Sequence, residues 1–287
     1  LYIEIQVMAS LIPYLRIARL HNALMTGIAV ALGFWLGRST LPLPALVLLI
    51  IAAVAATAFG NVINDIHDVA TDRISHPSRP LPRNEISLHS AWLYAVYLMI
   101  TALGSAAFIS PTHLAATLLP LLLLACYTKF LKGTPLAGNI VVSLLVGYAI
   151  LYGGLLAPAF HRLIIPAVLA FLLNLVREII KTVQDATGDR AAGIVTTAAL
   201  HSSVIKAVIY SASVVYLLLL FLPWVLHQFG PLYACIVAIG VLPLQVFWLL
   251  LFRKDHRRSR LSLLSLLIKC EMAIGLVALA ADQLFTR

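Results

Sequence analysis

Residues 43–72 read LPALVLLIIAAVAATAFGNVINDIHDVATD, from Leu43 to Asp72. No Asp, Glu, Lys or Arg interrupts this stretch before Asp65, after which Asp68 and Asp72 follow in quick succession. About 20 consecutive apolar residues suffice for a helix to cross the hydrocarbon core of a bilayer. The stretch therefore reads as a membrane span that ends in acid. Carboxylates at a membrane boundary cost several kcal/mol by most estimates, which makes them a functional-site hypothesis by default.

The rest of the chain follows the same pattern. Of its 287 residues, 62% are hydrophobic and the mean hydropathy is +1.00, against an apolar share of about 45–50% in soluble domains. Span-length apolar segments recur at roughly 14–37, 43–66, 89–109, 112–130, 136–158, 162–184, 203–227, 231–252 and 261–284. The expected fold is all-α: a polytopic membrane protein with nine transmembrane helices in a single bundle and a cytoplasm-facing active-site cavity. Residues 1–13 precede the first span, and residues 1–7 precede the first methionine, Met8, so this start is set aside from functional reasoning. Because a second span follows directly, the first reads as an anchor rather than a cleavable leader.

Charge supports this division. With the N-terminus inside, sixteen of the twenty Lys and Arg residues fall on the side of the acidic segment. Arg38, Arg162 and Arg287 fall on the other, and Lys269 lies within the last span. Positive charge favours cytoplasmic loops, so the acidic clusters are expected to face the cytoplasm. The net charge of +9 is thereby a matter of topology, and its natural partners are anionic lipid headgroups and anionic substrates rather than nucleic acid. Cys126, Cys235 and Cys270 have no paired spacing and suggest neither a disulfide framework nor zinc.

Six of the eleven acidic residues form two clusters: Asp65, Asp68 and Asp72, then Glu178, Asp185 and Asp189. On a helix, Asn64, Asp68 and Asp72 form one near-vertical stripe, and Asp185 and Asp189 repeat the i, i+4 spacing one turn beyond Lys181. Like charges so placed repel one another, and a bound cation removes that penalty. A few carboxylates with open positions for water and phosphate oxygens suit magnesium, whereas zinc would call for Cys or His ligands. Two such clusters suggest one divalent-metal site with two walls. Between them, the proline-rich loop after Asp72 carries Arg79, a planar fork suited to phosphate oxygens. Further cations on the same side are Lys129, Lys132, Arg177 and Lys181.

With Asn64-Asp65-x-x-Asp68-x-x-x-Asp72, then Ser78-Arg79-Pro80-Leu81-Pro82, then Asp185-x-x-x-Asp189 with Gly193 and Thr196 behind it, the chain resembles the UbiA superfamily of intramembrane prenyltransferases. The resemblance covers essentially all of residues 1–287 and implies a single prenyltransferase domain. It also implies two magnesium ions that bind a polyprenyl diphosphate, followed by loss of diphosphate and capture of the allylic carbocation by a small acceptor within the bilayer. Carried over, Asn64, Asp68 and Asp72 would hold one ion and Asp185 and Asp189 the other. Asp68, Asp72, Asp185 and Lys181 would be catalytic. Arg79, Lys129, Lys132 and Lys181 would neutralise the leaving diphosphate, where negative charge develops. Arg19 and Asn22 sit where the family places an Arg and an Asn. No obligate protein partner is implied.

Two positions depart from the family pattern. Asn84 stands where a glycine is frequent, and tolerates the left-handed region that such a turn needs. Thr182 stands where several relatives carry an aspartate. The strings Arg177-Glu178-Ile179-Ile180-Lys181 and Tyr127-Thr128-Lys129-Phe130-Leu131-Lys132 resemble the branch that alkylates geranylgeranylglyceryl phosphate in ether-lipid synthesis. The alternative acceptor is an aromatic acid such as 4-hydroxybenzoate. A secondary transporter would place its charges near the bilayer midplane rather than crowd one interface. Lys269 and Glu271 read as residues that line a cavity or, more simply, as a lysine snorkelling near the inner interface.

Overall fold

Helix starts along the chain carry recognisable signals. Pro44, Pro111 and Pro231 occupy first-turn positions, where a missing N–H costs nothing. The Ser87 and Ser110 hydroxyls accept from the backbone N–H groups of Ser90 and His113. The computed structural model describes residues 11–285 apart from 132, 192, 194 and 255–257. The side chains of 75, 187–189, 191, 254 and 258 also lie outside the description.

Helix α1 (Leu11–Ile17) meets α2 (Leu20–Leu36) at a 60° bend. There follow α3 (Leu43–His67), α4 (Val69–Ser75), α5 (Leu88–Ala107), α6 (Pro111–Cys126), α7 (Ala137–Gly153), α8 (Ile164–Ala191), α9 (Ser202–Leu220), α10 (Leu222–Val225), α11 (Pro231–Ile236), α12 (Leu242–Lys254) and α13 (Arg258–Phe285). Single π turns at Tyr127–Leu131 and Val237–Val241 extend α6 and join α11 to α12. No strand occurs among the described residues. Among the described residues, seven helices are long and apolar enough to cross a membrane, or eight if the bent α1–α2 pair is one span. The remaining apolar helix, α7, has 17 residues and reaches about 25 Å at 1.5 Å per residue, less than the ~30 Å hydrocarbon core. By length, the expected nine spans are therefore not confirmed.

Contacts within the chain divide it into two compact units, Leu1–Ala31 with Thr40–Lys132, and Leu32–Ser39 with Gly133–Arg287. In the first, α3 lies along α5, whose buried face is Ala91, Ala95, Leu98, Ala102 and Ala106. Small residues let helices approach closely where no hydrophobic driving force separates lipid from protein. In the second, α7 packs on α8. A Cβ at Gly147 would come within 2.5 Å of the Ala167 carbonyl oxygen, so only glycine fits there.

The α1–α2 bend falls where the sequence has neither Gly nor Pro. Arg19 adopts φ 48°, a conformation that costs a non-glycine residue about 1–3 kcal/mol unless its surroundings hold it. Here they do. Asn61 Nδ2 donates to the Ala18 carbonyl at 2.9 Å, and the Arg19 guanidinium donates to Asp65 at 2.7 Å. Both partners project from α3 one turn apart.

Candidate active site

The first motif lies where α3 ends. The helix stops at His67, with Asp68 as its C-cap (φ −87°, ψ 0°), and restarts as α4 at Val69. The expected uninterrupted helical stripe is thus broken at its middle residue. Its register survives, because the Asp68 N–H donates to Asn64 O at 2.9 Å and the Asp72 N–H donates to Asp68 O at 2.7 Å. Asn64 Nδ2 accordingly reaches Asp68 Oδ2 at 2.8 Å. His67 turns off the stripe to Ile63 O and to the edge of Trp92.

Asp65, Asp68 and Asp72 are all buried, and the charge that relieves them comes from two arginines. Arg19 pairs with Asp65; Arg79 pairs with Asp72 at 2.5 Å and lies 3.4 Å from Asp65. His76 Nδ1 is 3.5 Å from Asp72 Oδ1. Burial pushes the Asp72 carboxyl above its ordinary value, while Arg79 pulls it back down. Asp65 is the residue that the stripe argument missed: it stands off the 64/68/72 face and joins both arginines. Three carboxylates against two guanidiniums leave one negative charge, which favours a cation.

The loop that delivers Arg79 is a compact knot. Leu81 and Ile86 are buried in the core of the first unit, Glu85 N–H donates to Pro80 O at 3.0 Å, and Asn84 turns the chain at φ 57°. Arg16 ties it down through Glu85 at 2.7 Å and Ser78 O at 2.6 Å. Arg79 is therefore presented by a fixed turn.

The second motif ends α8, and neutral hydrogen bonds hold it. Asn139 on α7 donates to Thr182 Oγ1 at 2.9 Å and accepts from Thr197 Oγ1 at 2.5 Å. Thr197 in turn accepts from Leu136 N–H at 2.8 Å. Ser143 and Asn174 extend the ladder by one rung, at 3.2 Å. Thr182 lies three residues before Asp185, so this lattice sets the turn from which Asp185 projects. Asp185 and Lys181 are half-buried. Arg177 pairs with its neighbour Glu178 at 2.6 Å, and its buried Nε has no hydrogen-bond partner.

Other expected residues are placed as follows. Asn22 opens α2, its N–H donating to Arg19 O at 2.8 Å. Lys129 is exposed on the π turn, over the Phe130 ring. Lys132 and the Asp189 side chain lie outside the described residues. Glu271 is fully buried and accepts from Trp248 Nε1 at 2.6 Å.

Among the described residues, no three His, Cys, Asp or Glu side chains are grouped so as to hold a metal on their own. That suits magnesium, which is commonly held by one or two carboxylates and completed by waters and substrate phosphates. Asn64, Asp68 and Asp72 supply hard oxygen donors and a residual negative charge, and they fit such an ion.

The sequence profile of the UbiA prenyltransferase family matches residues 24–269. A digeranylgeranylglyceryl phosphate synthase of Methanoculleus marisnigri is 38% identical over 186 residues, which are 64% of this chain and 66% of that one. A solved structure of a digeranylgeranylglyceryl phosphate synthase in membranes superposes with a TM-score of 0.79 at 28% identity, over 96% of this chain and 98% of that one. A UbiA homologue from Archaeoglobus fulgidus, solved bound to GPP and Mg2+, shares the fold with a TM-score of 0.69 at 21% identity, over 93% and 99% of the two chains. The protein is an integral membrane prenyltransferase, and the chain belongs to the UbiA prenyltransferase family.

Proposed function

We propose that residues 1–287 act as one domain that transfers a geranylgeranyl group from its diphosphate to the hydroxyl of geranylgeranylglyceryl phosphate, the alkylation that builds a diether lipid. The observation that carries this reading is the similarity to digeranylgeranylglyceryl phosphate synthases, in sequence and along nearly the whole fold. In the reaction the allylic C–O bond to diphosphate breaks and an ether C–O bond forms. The acceptor hydroxyl gives up its proton.

Asn64, Asp68 and Asp72 would hold one magnesium ion and Asp185 and Asp189 another. Such ions supply Lewis-acid stabilisation of the departing diphosphate. Within the first unit, Arg79 and Arg19 keep the acidic cluster from repelling itself, and Arg79 would turn one donor toward phosphate oxygen. Asn22 and Lys129 would add donors to the substrates from the same unit. Lys181, Arg177 and Lys132 would neutralise diphosphate or the acceptor's phosphate. The apolar helices receive the prenyl chain, and a site shielded by them protects the allylic cation from water. The sixteen cations on the side of the motifs support a cytoplasmic N-terminus and active site.

The test is prenyl transfer by purified protein from labelled geranylgeranyl diphosphate, with magnesium or EDTA, offering geranylgeranylglyceryl phosphate and 4-hydroxybenzoate separately. Magnesium-dependent product with the glyceryl phosphate alone is the expected result. Product with 4-hydroxybenzoate alone would reassign the acceptor, and undiminished product in EDTA would remove the metal.

A further inference from the structure

We infer that the second unit carries a binding site for an anionic phospholipid headgroup, at the end of α8 remote from Asp185. Arg162 stands in the 3-10 turn Phe160–Leu163 just before α8. Asp185 lies 21 residues beyond Ile164, or about 30 Å by helical rise. A cavity of about 420 Å³ opens there, with Arg38, Arg162, His227, Gln228 and Asp282 among its lining residues. Only three of the twenty cations fall at this end of the spans, and two of them share this one cavity.

The charges in it are unequally committed. Both Asp282 oxygens accept from Gly230 N–H, at 3.0 and 2.9 Å, and Oδ1 also accepts from Tyr233 N–H at 3.2 Å. That carboxylate is turned to the N-terminus of α11, where it complements the helix dipole. Arg162 donates to the Gln228 carbonyl and lies over the Phe229 ring, which fixes its guanidinium at the wall. Arg38 is exposed at the rim. Two guanidiniums against one carboxylate leave a positive cavity, and the planar fork of arginine suits phosphate oxygens.

One further atom narrows the ligand. Gln228 Oε1 is buried with no hydrogen-bond partner, and a buried acceptor left unmet costs free energy until a donor arrives. A side-chain shift that uncovers this acceptor would let it take a hydroxyl or ammonium donor of a phosphate-bearing headgroup. The ligand's other end is apolar, because Arg38 also borders a second cavity of about 450 Å³ lined by Phe34 and Trp35. Exposed Trp224, Val225 and Leu226 stand beside the polar cavity, as aromatic and apolar side chains do at headgroup level. A phosphate diester with a donor in its headgroup and a hydrocarbon tail satisfies all of these features. Free phosphate has no use for the second cavity.

The test is thermal unfolding of the full chain in detergent with phosphatidylglycerol, phosphatidylcholine or inorganic phosphate, for the wild type, Arg38→Gln and Arg38→Lys. Phosphatidylglycerol should raise the wild-type midpoint by several degrees, while phosphatidylcholine and inorganic phosphate leave it in place. Arg38→Gln should lose most of that rise while prenyl transfer and its lipid-free midpoint stay unchanged. Arg38→Lys, which keeps the charge and loses the fork, should retain part of it. An equal rise with phosphatidylcholine, or a full rise in Arg38→Gln, would overturn the site. A rise with inorganic phosphate matching that with phosphatidylglycerol would overturn its assignment to lipid.

Discussion

The two acidic motifs share a spacing and differ in what holds them. At the first, buried carboxylates meet arginines from distant parts of the sequence: Arg19 from the α1–α2 bend and Arg79 from the proline-rich turn. At the second, the turn that bears Asp185 is fixed by uncharged groups, with Asn139 between Thr182 and Thr197. One site is assembled by charge and the other by neutral hydrogen bonds. The difference follows from burial: three deeply buried carboxylates need cations to exist as such, whereas a half-buried Asp185 can rely on solvent and needs only a firm backbone.

The largest effect expected is on turnover. Asp68 accepts from Asn64, and the Arg19–Asp65 and Arg79–Asp72 pairs are made by other carboxylates, so Asp68→Asn turns a proposed carboxylate metal donor into a neutral amide while leaving those pairs in place. Prenyl transfer should fall by about 10³-fold, with an unfolding midpoint close to that of the wild type. A variant with near-normal activity would break the assignment of the first motif to the metal.

Asp65→Asn attacks the same region through its scaffold. It takes from Arg19 the carboxylate it pairs with, while Arg79 keeps Asp72 at 2.5 Å, and the loss of one partner from a buried pair costs about 3–5 kcal/mol. Both arginines are about a quarter exposed, so the low end, about 3 kcal/mol, is expected from chemical denaturation. Arg19 also loses the bond that holds its φ of 48°, and the bend at Ala18 should loosen with it. A loss under about 1 kcal/mol would mean that charge does not assemble this site.

Asn139→Ala is the matching test in the second unit. It strips the Thr182 and Thr197 hydroxyls of a shared partner and should cost about 2 kcal/mol. If the lattice positions Asp185, the apparent affinity for magnesium should also weaken about tenfold. Stability loss with unchanged magnesium dependence would leave Asn139 as packing only.

These tests fall where the sequence was least legible. The apolar runs and the four-residue spacing of Asn64, Asp68 and Asp72 were plain, since both are periodic and local. The Asp65–Arg19 pair joins positions 46 residues apart, and no local pattern announces it. The bend at Arg19 has no Gly or Pro to mark it, because its support comes from Asn61 and Asp65 on another helix. Asn139 is a polar residue within an apolar run, and nothing local marks its partners. Its spacing to Ser143, four residues on, was the one available hint. The span count stays unconfirmed at α7 for a related reason: the sequence shows the apolar run of 136–158, but the chain turns out of the helix after Gly153.

Thr182→Val carries the smallest effect and separates two meanings of that position. The hydroxyl accepts from Asn139 and donates to the Glu178 carbonyl at 2.8 Å, so valine keeps the shape and leaves Asn139 Nδ2 without its acceptor. The expected loss is about 1 kcal/mol of stability, with prenyl transfer reduced only a few-fold and its magnesium dependence nearly unchanged. If Thr182 were instead standing in for a third acidic ligand, the loss would appear mainly as a higher magnesium requirement with stability intact. Titrating activity against magnesium for Thr182→Val beside Asn139→Ala therefore decides whether this turn serves the metal through its backbone or through a ligand of its own.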